Sequence, residues 1–193
     1  MDLFHWIAPL YDRIFRFSDP TRLLTLLEPG PDHWLLDVGG GTGRVTASLV
    51  KHVGQTCVID ASAGMLAQAR AKGLCVSQGM AERLPFPDGV FGRILIVDAF
   101  HHFRDWPCAA AELLRVLRPG GRMVIEEPDI RSGAVKLIAL GERLLLMRSR
   151  FYAPADMARL FQAAGGQVTL YEDHSGVYWA VVERWPTRRL LNR

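Results

Sequence analysis

The chain has 193 residues, 49% hydrophobic and 22% charged, which suits one α/β domain with a large core and leaves no room for a second of comparable size. Its 23 basic and 20 acidic residues are interspersed and leave a net charge of +3, so charge alone implies no nucleic-acid footprint. Cys57, Cys75 and Cys108 are odd in number and lack metal-ligand spacing, which argues against a metal centre and for a reducing cytosol.

In chain order, the opening M-D-L-F-H-W has neither a basic leader nor a cleavage-like site, and no apolar run is long enough to span a bilayer. Secretion and membrane insertion are therefore not expected. Met1 to Phe17 is rich in aromatic and apolar residues, and Asp19-Pro20 is the N-cap and first-turn proline of a helix. Strands are predicted at His33–Val38, Thr56–Asp60, Leu74–Gln78, Phe91–Asp98 and Arg122–Glu126, with helices at Val45–His52, Ala63–Lys72 and Asp105–Leu117 between them. This alternation is the mark of a parallel sheet covered on both faces, and the thiols of Cys57 and Cys75 then act as small strand hydrophobes. A helical insertion, Ser132–Arg150, follows. Ser149–Gly166 contains a helix opened by Pro154, and Gln167–Asp173 and Gly176–Arg184 make a strand pair.

The most informative stretch is Leu35–Val45, L-L-D-V-G-G-G-T-G-R-V, which reads as strand, tight turn, helix. Glycines at 39, 41 and 43 let the backbone take positive φ and approach a ligand closely. A dinucleotide fingerprint counted from Gly39 would need glycine or alanine where Arg44 stands, and no Gly-Lys-Ser/Thr run exists for a P-loop. Asp60 ends the second strand 23 residues past Asp37, placed either to accept ribose hydroxyls of a nucleoside across the turn or to cap the next helix.

This D-x-G-x-G-x-G spacing resembles the glycine motif of the class I S-adenosylmethionine (SAM) methyltransferases. The run Gln78–Phe103 strengthens the resemblance at Ala81, Leu84–Asp88, His101 and His102, and E-L-L-R-V-L-R-P-G-G at Glu112–Gly121 completes it. The chain departs from the family's pattern at Met80 and Gly92, where an Asp is usual. I-A-P-L-Y-D at Ile7–Asp12 looks like the entry motif of the ubiquinone and menaquinone C-methyltransferase branch.

The resemblance implies a Rossmann-like α/β fold with a seven-stranded, mostly parallel sheet and an antiparallel C-terminal hairpin. Residues 1–30 would form a helical lid over the cleft and 132–150 an insertion beside it, within one domain spanning 1–193. It implies SAM as cofactor, held by Asp37, Gly39, Gly40, Gly41, Gly43, Asp60, Ala61, Met65, Met80, Ala81, Val97 and Tyr11, with no metal. With Met80 in place of an Asp, the polar contact to adenine falls to backbone near Ala81 or to Glu82.

Methyl transfer from a sulfonium is an in-line displacement in which positive charge disappears, so alignment and water exclusion matter most. Asp98, His101 and His102, after the fourth strand, are candidates to take a proton from the acceptor, with Glu126 and Glu127 next. One of two adjacent histidines usually packs inward, and Tyr11 fits a cap on the cofactor pocket equally well. The expected acceptor is a small apolar or aromatic molecule, with a prenylated quinol as the favoured case and a soluble molecule methylated on O or N as the alternative. A cytoplasmic protein is expected, touching the inner membrane face through its apolar lid, the leucine-rich Leu137–Met147 and the basic tail Arg184, Arg188, Arg189 and Arg193. Those apolar faces could equally be buried core. No nucleic-acid partner is expected: the chain has neither an RNA-binding appendage nor the Pro-Pro-aromatic tetrapeptide of an N6-adenine enzyme, and D-A-F-H stands there instead. A SAM-binding protein without catalysis is a further alternative, and the broken dinucleotide fingerprint speaks against a dehydrogenase.

Overall fold

The computed structural model describes residues 19–132, 151–173 and 176–185. Tyr11 and the entry segment to Phe17, positions 133–150 of the insertion, and Arg188, Arg189 and Arg193 lie outside them.

The first described element is α1 (Thr21–Leu27), where Asp19 Oδ1 accepts the Thr21 N–H at 2.9 Å. The expected order shifts by one residue: Pro20, not Asp19, is the N-cap, and Asp19 holds the turn just before it. Strand β1 (Trp34–Val38) leads into the glycine turn, and the predicted helix after it is a short α2 (Thr46–Leu49) tightening into a 3₁₀ turn, Val50–His52. Then come β2 (Gln55–Asp60), α3 (Ala63–Ala71), β3 (Val76–Gln78), β4 (Phe91–Val97), a 3₁₀ turn at Phe100–His102 and α4 (Trp106–Val116). Strand β5 (Leu117–Pro128), α5 (Pro154–Ala163), β6 (Gly166–Glu172) and β7 (Val177–Arg184) complete the set. Asp105 caps α4 by accepting the Cys108 N–H at 3.0 Å. Helix α4 ends at Val116, close to the predicted stop, but β5 starts earlier than the predicted Arg122. The buried Leu117 already pairs with Phe91, and the register shifts before Arg122 pairs with Arg93.

The described strands form one seven-stranded sheet of order β3-β2-β1-β4-β5-β7-β6. Strands β1 to β5 pair in parallel, while β7 runs antiparallel to both β5 and β6, as predicted. Alternation along the strands sends side chains to two cores. Leu36, Ile94, Ile96, Met123, Ile125 and Tyr178 pack with α4 and α5 on one face, and Leu35, Leu95, Val124, Trp179 and Val181 pack with α1 and α2 on the other. Val58, Leu66, Ala69 and Leu74 form a smaller cluster under α3. Cys57 is half-buried, and burial beside Cys75 pushes its thiol up to about 12. Cys75 itself is exposed, contrary to the buried role expected of it, because it sits just before the short edge strand β3.

No described helix is long and apolar enough to cross a membrane. The Arg184 guanidinium donates to the carbonyls of Arg115 and Leu117 at 3.0 and 2.6 Å, so this member of the basic tail closes the α4–β5 junction rather than facing outward.

Candidate active site

The carboxyl ends of β1, β2, β4 and β5 lie along one edge of the sheet, where open α/β sheets bind ligands. Three glycines of the β1–α2 turn have positive φ: 71° at Gly39, 55° at Gly41 and 69° at Gly43. A Cβ at Gly39 would lie 2.6 Å from Ala99 Cβ, one at Gly40 would lie 2.5 Å from Asp37 Cγ, and one at Gly43 would collide with Leu74. At Gly41 it would meet nothing within 4 Å among the described residues. Gly39, Gly40 and Gly43 are thus required by packing, whereas no described residue crowds Gly41, as the cradle of a nucleoside cofactor needs.

The turn is tied on both sides. Gly39 N–H donates to Ile59 O at 2.8 Å and Gly43 N–H to Gly40 O at 2.8 Å. Asp60 accepts the Gly41 N–H on Oδ2 at 3.0 Å and the Ser62 N–H on Oδ1 at 2.7 Å. Asp60 thus bridges the glycine turn and the residue that opens α3 with one carboxylate. Asp37 is 1% exposed and accepts the Thr46 hydroxyl. Burial pushes its carboxyl up to about 6, against the opposing effect of that hydrogen bond.

The remaining adenine-side candidates follow from β2 and β3. Ala61 is exposed, Met65 is buried on α3, Met80 is 40% exposed and Ala81 is buried. Gly79 N–H donates to Asp60 O at 3.1 Å, which brings this segment against the end of β2. Glu82, offered as the polar substitute for an Asp at 80, has one of its oxygens engaged elsewhere. Its Oε1 accepts the N–H groups of Arg104 and Asp105 at 2.6 and 3.2 Å, holding the entry to α4. The departure at Gly92 also has a structural counterpart. A Cβ there would lie 3.1 Å from the Arg118 guanidinium carbon and 3.2 Å from His33, so the β5 bulge fills the space that an Asp side chain would need.

The second cluster gathers where β4 and β5 end. Val97 is half-buried, and Asp98 is exposed at φ 53° with its N–H donating to Glu126 O at 2.9 Å. Glu127, 3% exposed, accepts the N–H groups of Ala99 and Phe100 on Oε1 at 2.9 and 2.7 Å, and its Oε2 lies 2.6 Å from His101 Nδ1. His101 is 2% exposed, stacked on Phe151 with ring centroids 4.5 Å apart and touching His102 at 4.0 Å. Burial, then the neighbouring His101, pushes His102 down to about 3, so it is neutral at any physiological pH. Glu126 faces the opposite side of the sheet, where it accepts the Trp179 indole N–H at 2.7 Å; burial raises its carboxyl. Tyr178, paired in register with Glu127, is fully buried, and its hydroxyl has no hydrogen-bond partner among the described residues. Its signal in the sequence was only an aromatic in a strand.

A glycine turn after the first strand, a carboxylate at the end of the second and this sheet order define an α/β protein of the nucleoside-cofactor-binding class. The Methyltransferase domain profile matches residues 36–125. A Mycobacterium marinum protein named demethylmenaquinone methyltransferase is 32% identical, covering 93% of this chain and 87% of its own, and a Thermus thermophilus protein of the same name is 37% identical over 70% and 69%. A chain from the complex of the Haloferax volcanii Trm112 methyltransferase activator with a methyltransferase superposes with a TM-score of 0.83 at 18% identity, covering 96% of this chain and 99% of that one, a likeness of fold. The chain belongs to the class I SAM-dependent methyltransferases, and it is an enzyme that takes its methyl group from SAM.

Proposed function

We propose that the chain methylates a ring carbon of a prenylated quinol. The observation that carries this reading is the 31–37% identity, across most of the chain, to proteins named demethylmenaquinone methyltransferase. An aromatic ring beside the glycine turn supports it: Phe103, packed on Phe100 at 5.1 Å, lies 3.6 Å from where a Cβ at Gly39 would be.

In this reading the cofactor lies along Gly41, and the Asp60 carboxylate that holds the Gly41 N–H accepts its ribose hydroxyls. Met65 and Met80 pack on the adenine, and backbone near Ala81 supplies the polar contact. SAM, when bound, supplies an electrophilic methyl that the acceptor carbon takes while losing its ring proton. The protein's own task is to hold the ring in line, exclude water and accept a phenolic proton. His101, whose Nδ1 meets the Glu127 carboxylate at 2.6 Å, is the proton acceptor in this reading. The bilayer is the source of such an acceptor, which makes the membrane contact peripheral.

The test is incorporation of labelled methyl from SAM. Vesicles carrying demethylmenaquinol should yield labelled methylquinone, with vesicle binding that strengthens with anionic lipid. Label appearing only in a water-soluble acceptor, without vesicle binding, would replace this reading with the soluble small-molecule alternative.

A further inference from the structure

The Glu127 carboxylate performs more work than a structural carboxylate needs. It is 3% exposed, and its two oxygens are divided between two tasks: Oε1 gathers two successive backbone N–H groups of the β4–α4 turn, and Oε2 meets His101 Nδ1 at 2.6 Å. Burying a carboxylate is costly unless it is fully hydrogen-bonded, and the three bonds meet that requirement. An acceptor-only oxygen at that distance requires a proton on Nδ1. A neutral imidazole then carries its lone pair on Nε2.

We infer that Glu127 is a positioning residue for His101: it fixes the turn through Ala99 and Phe100, and through Nδ1 it holds the imidazole in the tautomer whose Nε2 can accept a proton from the methyl acceptor. This rests on the role given to His101 above. In the step concerned, the acceptor's O–H bond breaks and an Nε2–H bond forms. The electron pair stays on oxygen and is delocalised to the ring carbon that takes the methyl. The imidazolium created faces the Glu127 oxygen, as it faces the carboxylate behind other histidine bases. The ring stack of Phe151 on His101 keeps the imidazole plane from turning, so its orientation does not depend on the hydrogen bond alone.

Glu127→Gln separates the two tasks. The amide oxygen can still accept from Ala99 and Phe100, so the turn is retained. The amide NH₂ facing His101 requires an unprotonated Nδ1, which moves the proton to Nε2. In ¹⁵N-histidine spectra at pH 8, wild-type His101 should show the Nδ1–H tautomer and the Glu127→Gln protein the Nε2–H tautomer. Turnover should fall by about 10²-fold or more with SAM affinity and acceptor KM unchanged. An Nε2–H tautomer or an imidazolium in the wild type at pH 8 would overturn the assignment, even if the variant failed to fold. Turnover of Glu127→Gln within about threefold of wild type would overturn it as well. The spectroscopic result needs no acceptor, so it stands or falls separately from the quinol reading, whose failure would show as label in another acceptor.

Discussion

Replacing glycines of the β1–α2 turn should separate stability from cofactor affinity. Gly41 and Gly43 both have positive φ, so alanine at either carries the left-handed strain of about 1–2 kcal/mol. At Gly43 the new methyl also collides with Leu74 and lies 3.2 Å from Ala69 Cβ, which adds about 1–3 kcal/mol of overpacking. At Gly41 it meets nothing within 4 Å among the described residues, which add no packing cost. For a chain of this size about 2–4 °C of Tm is lost per kcal/mol, which predicts a fall of about 2–8 °C for Gly41→Ala and about 4–20 °C for Gly43→Ala. The affinities should run the other way. Gly41→Ala puts a methyl into the space assigned to the cofactor and should weaken SAM binding by about tenfold or more, equivalent to at least 1.4 kcal/mol. The leucine at 74 can yield by a rotamer change, so any Gly43→Ala protein that folds should bind SAM closer to the wild-type value. Thermal melts without ligand and calorimetric titration with SAM measure the two quantities independently. Unchanged SAM affinity in Gly41→Ala would refute the assignment of that space to the cofactor, and equal melting losses would refute the packing argument.

The carboxyl of Asp37 holds its proton more tightly in the fold than when unfolded, since burial raises it from 3.8 to about 6. Its contribution to stability is therefore complete below about pH 4 and is lost as pH rises through 6, so Asp37→Asn should gain on the wild type over that window by up to about 3 kcal/mol. Urea midpoints without cofactor at pH 4 and pH 7 report this, and a constant difference between the two proteins would contradict it. His102, pushed down to about 3, should show no imidazole titration in NMR spectra between pH 5 and 8. A midpoint near 6 or 7 would show that the pocket around it is open to water.

Asp37, the glycines and Asp60 could be read from the sequence because their positions are set by consecutive elements: strand, turn, helix, strand. The hairpin was legible for the same reason, through alternation on both sides of a short turn. Glu127 ranked behind the histidines because its partners Ala99, Phe100 and His101 are 26–28 positions away and meet it only through the parallel pairing of β4 with β5, which local pattern does not encode. Glu82 was offered to the adenine because it follows Met80, whereas the chain turns there and aims it at the start of α4. Where β5 begins was hidden by the Pro-Gly-Gly in its sequence, which ends a helix but does not prevent Leu117 from pairing across a bulge.

The packing of α1 has a consequence for how the molecule is made. The helix stands early in the chain, yet its apolar face rests on Leu95, Val124, Trp179 and Val181, its terminal carbonyls are held by Arg93 and Arg122, and Arg22 lies over the rings of Tyr171 and Trp179. A nascent chain leaving the ribosome at about 5–20 residues per second would display that face for roughly 8–30 s before β7 emerges to cover it. The hairpin that closes the sheet thus also fastens the start of the fold to its finish, and losing β7 would strip the cover from α1 at the other end of the sequence.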